Sequence, residues 1–298
     1  MKKKVLIVGG TGFLGFNLAK KLMKKNFDIH SLSSNPPVPS RKIKKVNYIF
    51  SNIENIKSLK KKIKPSYDFV INLSGNINHK KQVKTLKTHY LGLKNLVNIF
   101  SKTDLKCFIQ IGSSLEYGRI SSPNKESQKC KPVSYYGKAK YLASKHLIDF
   151  DERNSFPFII LRLYQVFGPK QKEDRLIPYV ISSCKKDKKF KCTDGKQLRD
   201  FLYVDDFTNL IIKILKTKKI LSGIYNVGYG KPIKVREIIK YINKKIGKGK
   251  ALFGLIKMRK DEMTESYPDI KKVKKIFSWS PKINFRIGLK KTIKHYET

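Results

Sequence analysis

Negative charge is scarce in this chain: 22 Asp and Glu stand against 66 Lys and Arg in 298 residues, a formal charge of +44. Such an excess marks a polyanion partner when it is gathered on one arm or stripe. Here the lysines run through every segment from Lys2 to Lys294, with no Arg-rich stripe and no nucleic-acid motif. Nucleic acid is therefore not the expected partner. Asn and Ile are abundant as well, which fits Lys-for-Arg drift in an AT-rich genome. Cysteine is also sparse. Cys107, Cys130, Cys184 and Cys192 form no C-x-x-C and have no His-paired ligand spacing, so neither a metal site nor a disulfide framework is expected. A reducing, cytoplasmic compartment is the corresponding expectation. Long hydrophobic runs are missing too, and nothing approaches the roughly 20 apolar residues that span a bilayer. The N-terminal MKKK and its apolar run imitate a signal peptide, but Gly9-Gly10-Thr11-Gly12 interrupts the run and no small-residue cleavage site follows.

What is present is a large, ordinary core. Hydrophobic residues make up 40% of the chain, with 15 Tyr and 17 Phe, which argues against disorder. Val5–Val8, Ile29–Leu32, Val46–Phe50, Phe69–Leu73, Cys107–Ile111 and Phe158–Leu163 are nearly continuous apolar runs. Strands of a parallel sheet covered on both faces read this way. Leu14/Leu18/Leu22 and Leu93/Leu96/Val97/Phe100 repeat between them at helical spacing. The alternation predicts an α/β fold, a Rossmann-type doubly wound parallel sheet, through about residue 165. Beyond it the order loosens. A helix over Leu176–Cys184, a strand over Ile224–Val227 and a helix over Val235–Ile246 suggest a smaller interleaved C-terminal substrate lobe. The expected division gives 1–165, joined by about 197–228, to the nucleotide-binding domain, and 166–196 with 229–298 to the lobe.

The first strand runs straight into Gly9-Gly10-Thr11-Gly12-Phe13-Leu14-Gly15 and then a helix. Gly9 permits the tight turn, Gly12 lets backbone approach a pyrophosphate, and Gly15 lets helix and strand pack closely. The helix N-terminus offers N–H groups and a positive dipole end to phosphate. Gly9, Thr11, Gly12, Phe13, Leu14 and Gly15 are thus candidate dinucleotide contacts. Their Gly-x-x-Gly-x-x-Gly spacing resembles the extended short-chain dehydrogenase/reductase superfamily, specifically its NAD-dependent epimerase/dehydratase (nucleotide-sugar) family. That resemblance implies further cofactor contacts from Ser33, Asn52, Ile53, Leu73 and Ser74, at the ends of the second, third and fourth strands.

The resemblance also predicts a Tyr-x-x-x-Lys pair, which Tyr136 and Lys140 supply. Spacing alone selects nothing, because Tyr90, Tyr141, Tyr241 and Tyr267 also have lysine four residues on. Context selects Tyr136: the strand Cys107–Ile111 leads into Gly112-Ser113-Ser114-Leu115-Glu116-Tyr117-Gly118, and the family's Ser or Thr four residues before this Tyr-Gly corresponds to Ser113. The residue types suit the chemistry. A phenol with a pKa of about 10 is a poor base near neutrality, and an ammonium one helical turn away stabilises phenolate. The same lysine can hydrogen-bond the nicotinamide ribose, while a serine hydroxyl donates to a substrate oxygen as charge develops.

Further along, Leu161-Arg162-Leu163-Tyr164-Gln165-Val166-Phe167-Gly168-Pro169 and Arg199-Asp200-Phe201-Leu202-Tyr203-Val204-Asp205-Asp206 resemble two more family segments, so the likeness covers nearly the whole chain. It implies substrate contacts from Ser114 and Gln165, and a grip on a nucleotide-sugar diphosphate by Arg199 and Arg259, a task suited to forked guanidinium donors. Departures narrow the reaction. Family dehydratases carry Asp-Glu directly after the catalytic Ser or Thr, where this chain has Ser114 and Leu115; the cysteine of 3,5-epimerising reductases is replaced by Leu115. Glu116 comes one position late for the dehydratase acid, and His89 stands where the family often has Asn. No carboxylate follows the second strand, only Ser33 and Ser34 with Arg41 and Lys42 beyond, which favours NADP(H) with NAD(H) as the alternative. The leading expectation is an NAD(P)-dependent reductase acting at C4 of a nucleotide-linked 4-keto-6-deoxysugar. The alternatives are a nucleotide-sugar 4-epimerase with tightly held NAD and a non-catalytic nucleotide- or polyanion-binding protein. The resemblance also implies a homodimer formed through the helices containing Val83–Phe100 and Tyr136–Phe150.

Overall fold

The computed structural model describes residues 2–75, 82–259 and 262–297. The chain divides into two compact units, one of Met1–Gly118, Glu126–Leu163 and Thr208–Asn226, the other of Arg119–Lys125, Tyr164–Phe207 and Val227–Thr298.

In the first unit the apolar runs become β1 (Lys4–Val8), β2 (Asp28–Ser33), β3 (Asn47–Phe50), β4 (Phe69–Asn72), β5 (Cys107–Ser113) and β6 (Phe158–Leu163). With Gly223–Val227 they build a seven-stranded sheet in the order Gly223–Val227, β6, β5, β4, β1, β2, β3. Every pairing from β6 through to β3 is parallel. Both faces are covered, so β1, β4, β5 and β6 are buried almost end to end. Strand order reverses at β1, whose neighbours are β2 and β4. Ligands of such sheets bind at the carboxyl ends of the strands, at this switch point.

Between the strands lie α1 (Phe13–Met23), α2 (Ile56–Lys62), α3 (Gln82–Leu86), α4 (Gly92–Phe100) and α5 (Tyr135–Asn154). A π-helical turn at Lys87–Leu91 joins α3 to α4, a feature the 3.6-residue periodicity does not announce. It turns His89 inward, and Gly92 packs against Ile53, where a Cβ would meet Ile53 Cδ1 at 2.4 Å. Leu6, Val8, Leu93, Val97, Phe108 and Leu147 belong to one buried apolar cluster beneath these helices. Each such side chain contributes about 1.5–3 kcal/mol by leaving water.

The second unit is organised around a different sheet. After β7 (Gln165–Phe167) come β8 (Lys189–Lys191) and β9 (Leu198–Tyr203); Gly223–Val227 is β10, and β11 (Pro232–Lys234), β12 (Lys250–Leu252) and β13 (Glu265–Ser266) follow. β9 pairs antiparallel with β11 and parallel with both β13 and β7. The division expected from sequence gave residues 197–207 to the nucleotide-binding domain. They lie in the second unit, because β9 finds its partners in β7, β11 and β13. Helices α6 (Leu176–Lys185), α8 (Val235–Ile246), α9 (Lys271–Phe277) and α10 (Phe285–Glu297) belong to this unit, whereas α7 (Val204–Lys216) belongs to the first unit from Thr208 onward. The C-terminal segment is pinned by Asp206, whose carboxylate accepts from the Lys282 and Ile283 amides at 3.0 and 2.9 Å. Trp279 Nε1 donates to the Asp206 carbonyl at 3.1 Å.

Among the described residues no helix is long and apolar enough to cross a membrane, and no group of three or more His, Cys, Asp or Glu could hold a metal ion.

Candidate active site

The glycine turn closes at the carboxyl end of β1. Gly9 has φ +80° and donates its amide to the Leu32 carbonyl at 2.7 Å, and Gly12 donates back to Gly9 at 3.0 Å. A Cβ at Gly9 would meet the Leu73–Ser74 peptide at 3.0 Å. At Gly15 it would lie 2.5 Å from both Gly10 Cα and the Gly9 oxygen. Gly12 is the N-cap of α1 and has no side chain to cap it, so the first-turn amides of Phe13, Leu14 and Gly15 have no acceptor from a capping side chain. Bare backbone, a tight turn and a helix N-terminus together fit the pyrophosphate of a dinucleotide.

The neighbouring strand ends converge on this turn. Thr11 donates its amide to Ser33 Oγ at 3.3 Å, and Ser51 donates its amide to the Ser33 carbonyl at 3.1 Å. Asn52 closes a short turn by accepting from the Glu54 amide at 3.0 Å, and Ile53 is held by Asn95 Nδ2 at 2.9 Å. Ser74 donates its amide to Asn72 Oδ1 at 3.1 Å, while Asn72 Nδ2 donates to Gln110 Oε1 at 2.8 Å inside the sheet. Gly9, Thr11, Gly12, Phe13, Leu14, Gly15, Ser33, Leu73 and Ser74 thus gather at the ends of β1, β2 and β4, with Asn52 and Ile53 just beyond β3.

β5 runs two residues further than its apolar stretch predicts and ends on Ser113. A 3₁₀ turn at Ser114–Glu116 follows, closed by a capping box: Ser113 Oγ accepts from the Leu115 amide at 3.2 Å and Glu116 Oε1 accepts from the Ser113 amide at 2.7 Å. A hydroxyl that accepts on one lone pair keeps its proton to donate elsewhere. Ser114 is half-buried beside it.

Tyr136 and Lys140 enter on the first turns of α5, whose Ser134 cap accepts from the Gly137 amide at 3.0 Å. A Cβ at Gly137 would meet the Leu115 carbonyl at 2.4 Å, so glycine lets α5 lie against the Ser113 turn. Lys140 is buried; its Nζ donates to the Ile111 carbonyl at 2.7 Å and lies 5.9 Å from the Tyr136 ring centre. Burial pushes the Lys140 ammonium down to about 8, against the opposing pull of the Glu116 carboxylate. The His89 ring meets the Tyr136 ring edge to face, centres 5.0 Å apart. A half-buried phenol with a titratable ammonium beneath it and a serine hydroxyl on the adjoining strand end can exchange a proton with an alcohol or ketone oxygen.

The other candidates lie in the second unit. Gln165 is exposed on β7. Arg199 is buried on β9, donating to the Leu198, Thr264 and Met263 carbonyls and to Glu262 Oε1 at 2.8 Å. Arg259 is half-exposed, its Nε 3.8 Å from Glu262 Oε2. The two arginines therefore share one carboxylate, which the sequence reading did not single out. It also underrated Glu116, although the Ser113-x-x-Glu116 spacing is a capping-box signature.

A family model described as "NAD dependent epimerase/dehydratase family" matches residues 5–228. The chain is 28% identical to a CDP-abequose synthase of Salmonella muenchen, with 98% of each chain covered. It is 28% identical to a putative UDP-glucose 4-epimerase of Methanocaldococcus jannaschii, with 97% of each covered. Among solved structures, the UDP-glucose 4-epimerase of Thermotoga maritima with UDP-glucose shares the fold at a TM-score of 0.91 and 22% identity, covering 99% of this chain and 98% of that one. The UDP-glucuronic acid 4-epimerase of Bacillus cereus with UDP-glucuronic acid and NAD gives 0.88 and 24%, with 99% of each covered.

Proposed function

The chain belongs to the NAD-dependent epimerase/dehydratase family, and from that premise we propose that it is a reductase acting at C4 of a nucleotide-linked 4-keto-6-deoxysugar. One observation carries this reading: the 3₁₀ turn after Ser113 presents Ser114 and Leu115, and its single carboxylate, Glu116, is wholly buried. Elimination of water needs an acid and a base beside the sugar, and this turn offers neither. What is left is hydride and proton exchange at one carbon. NAD(P)H, held at the Gly9–Gly15 turn, would supply the hydride. The Ser113 hydroxyl donates to the C4 oxygen and orients the carbonyl. Tyr136 gives its phenolic proton to that oxygen as the C4–H bond forms, and the Lys140 ammonium stabilises the phenolate left behind. Arg199 and Arg259 would hold the diphosphate, with Gln165 and Ser114 against the sugar.

NADP(H) is the cofactor that the β2 end supports. Ser33 occupies the position of the ribose-binding acid and is held inward by the Thr11 amide. NAD is the cofactor named with the Bacillus cereus structure, so both must be compared. A second reading, a 4-epimerase, is favoured by the similarity to the Methanocaldococcus jannaschii protein; Tyr136 would then remove the proton of the C4 hydroxyl and return it to the same oxygen, and inversion would come from hydride returned to the opposite face of C4, with NAD recycled. Two measurements separate the readings. Denaturing the purified protein and identifying released nucleotide shows tightly held NAD for the epimerase and an empty site for the reductase. A panel of 4-keto nucleotide sugars should consume NADPH stoichiometrically; no consumption with any member rejects the reductase.

A further inference from the structure

Glu116 is the one carboxylate at the Ser113 turn, and it is turned away from solvent. Its Oε1 takes the Ser113 amide at 2.7 Å, and its Oε2 takes Ser144 Oγ and Arg162 Nε, each at 2.9 Å. Gly112 makes room for it, since a Cβ there would lie 2.6 Å from Oε1. Ser144 stands one turn after Lys140 on the same buried face of α5. The carboxylate thus ties the end of β5 to α5 and β6. The groups facing it are Lys140 and Ser144 from α5, Arg162 from β6 and Cys130 from the segment before α5. Arg162 lies over the Tyr117 ring at 4.7 Å. Tyr117 in turn donates to Asn226 at 2.8 Å.

An ion pair as buried as Glu116–Arg162 is weak evidence for stability, because a well-packed apolar pair does as well. Its location suggests a different use. Lys140 is a second buried cation, one helical turn before the Ser144 that binds Glu116, and its Nζ is held on the Ile111 carbonyl two residues before the Ser113 amide that binds Glu116; a single arginine would not need a carboxylate that also grips Ser113 and Ser144. We propose that Glu116 is a positioning residue: it fixes Ser113 and α5 in one register and supplies the negative charge that Lys140 faces. This rests on the proposed roles of Ser113 and Lys140, but part of it can be read without any substrate.

The test compares wild type with Glu116→Gln, Glu116→Asp and Glu116→Gln/Arg162→Met. The paired variant removes both charges and remains informative if the single Gln variant does not fold. Urea unfolding is followed from pH 6 to about pH 10.5, and the onset of alkaline stabilisation due to Lys140 is identified as the part missing in Lys140→Met. Wild type should show that onset near pH 8. Removing the carboxylate should lower it by about one pH unit or more, while Glu116→Asp, which keeps the charge, should leave it near the wild-type value. With an active substrate in hand, the alkaline limb of kcat should move the same way. Glu116→Gln should lower kcat about tenfold or more with KM for the cofactor unchanged. An onset and a kcat both unchanged in Glu116→Gln would overturn the proposal. Failure of wild type to turn over any nucleotide sugar would instead sink the functional reading, and the onset would still decide the Glu116–Lys140 coupling.

Discussion

Replacing Lys140 by Met removes a cation that folding carries into the protein interior. Its ordinary value of 10.5 falls to about 8 in the folded chain. At about 1.4 kcal/mol per pH unit, the charged form is disfavoured by about 3 kcal/mol on folding. The sign follows from proton counting. Between pH 8 and 10.5 the unfolded chain still binds this proton and the folded chain does not, so stability rises with pH through that window. Below pH 8 the full penalty is present. Lys140→Met also removes one of the donors to the Ile111 carbonyl, which keeps Gln110 Nε2 at 3.1 Å, a cost of about 1 kcal/mol that does not vary with pH. The stability difference between wild type and Lys140→Met should therefore change by about 3 kcal/mol from pH 7 to 10.5, in favour of wild type at high pH. Urea melts at the two ends measure it directly, because the other lysines titrate alike in both proteins. A difference that is flat with pH would show that Lys140 is not a buried cation and would remove the basis for its pairing with Tyr136.

Tyr136→Phe should lower kcat by about 10²–10⁴-fold, with cofactor affinity measured by fluorescence titration left near wild type. Gly15→Ala should destabilise the first unit by about 1–3 kcal/mol and weaken dinucleotide binding, since its Cβ would press on backbone at 2.5 Å; calorimetry with and without cofactor reads both effects. Ser33→Asp should shift the NADPH-to-NADH ratio of kcat/KM toward NADH by about tenfold or more, as a carboxylate there repels a 2′-phosphate and accepts from a ribose hydroxyl. Asp206→Ala should cost about 1–3 kcal/mol in chemical denaturation by leaving the Lys282 and Ile283 amides without their acceptor.

The first half of the molecule was legible because its signals are local. β1 and its glycine turn are contiguous in sequence, and the continuous apolar runs of β4, β5 and β6 reflect burial on both faces. The Tyr136–Lys140 spacing was visible but not selective; placing it needed the strand that ends on Ser113. The second unit was harder to read. β9 is polar at Arg199 and Asp200, both buried, because neighbouring backbone and carboxylate groups satisfy them: the Tyr229 and Gly230 amides donate to Asp200 at 2.7 and 2.6 Å. Such a strand does not announce itself by hydrophobic pattern, nor does its pairing with β7 well before it and with β11 and β13 well after it. The π-helical turn at Lys87–Leu91 escapes a 3.6-residue template for a similar reason. Glu116 shows a different difficulty. Its position in the sequence suggested an acid displaced from its task, and only the Ser113, Ser144 and Arg162 contacts reveal where the carboxylate points.

Hydride and proton delivery to a sugar C4 carbonyl through Tyr136 can be followed in a single isotope experiment. NADPH carrying deuterium at the transferable position is mixed with a nucleotide-linked 4-keto-6-deoxysugar, and the product is read by NMR. One deuterium should appear at C4 for each NADPH oxidised, and the transfer should be lost in Tyr136→Phe. Deuterium at another carbon, or transfer that persists undiminished in Tyr136→Phe, would contradict it.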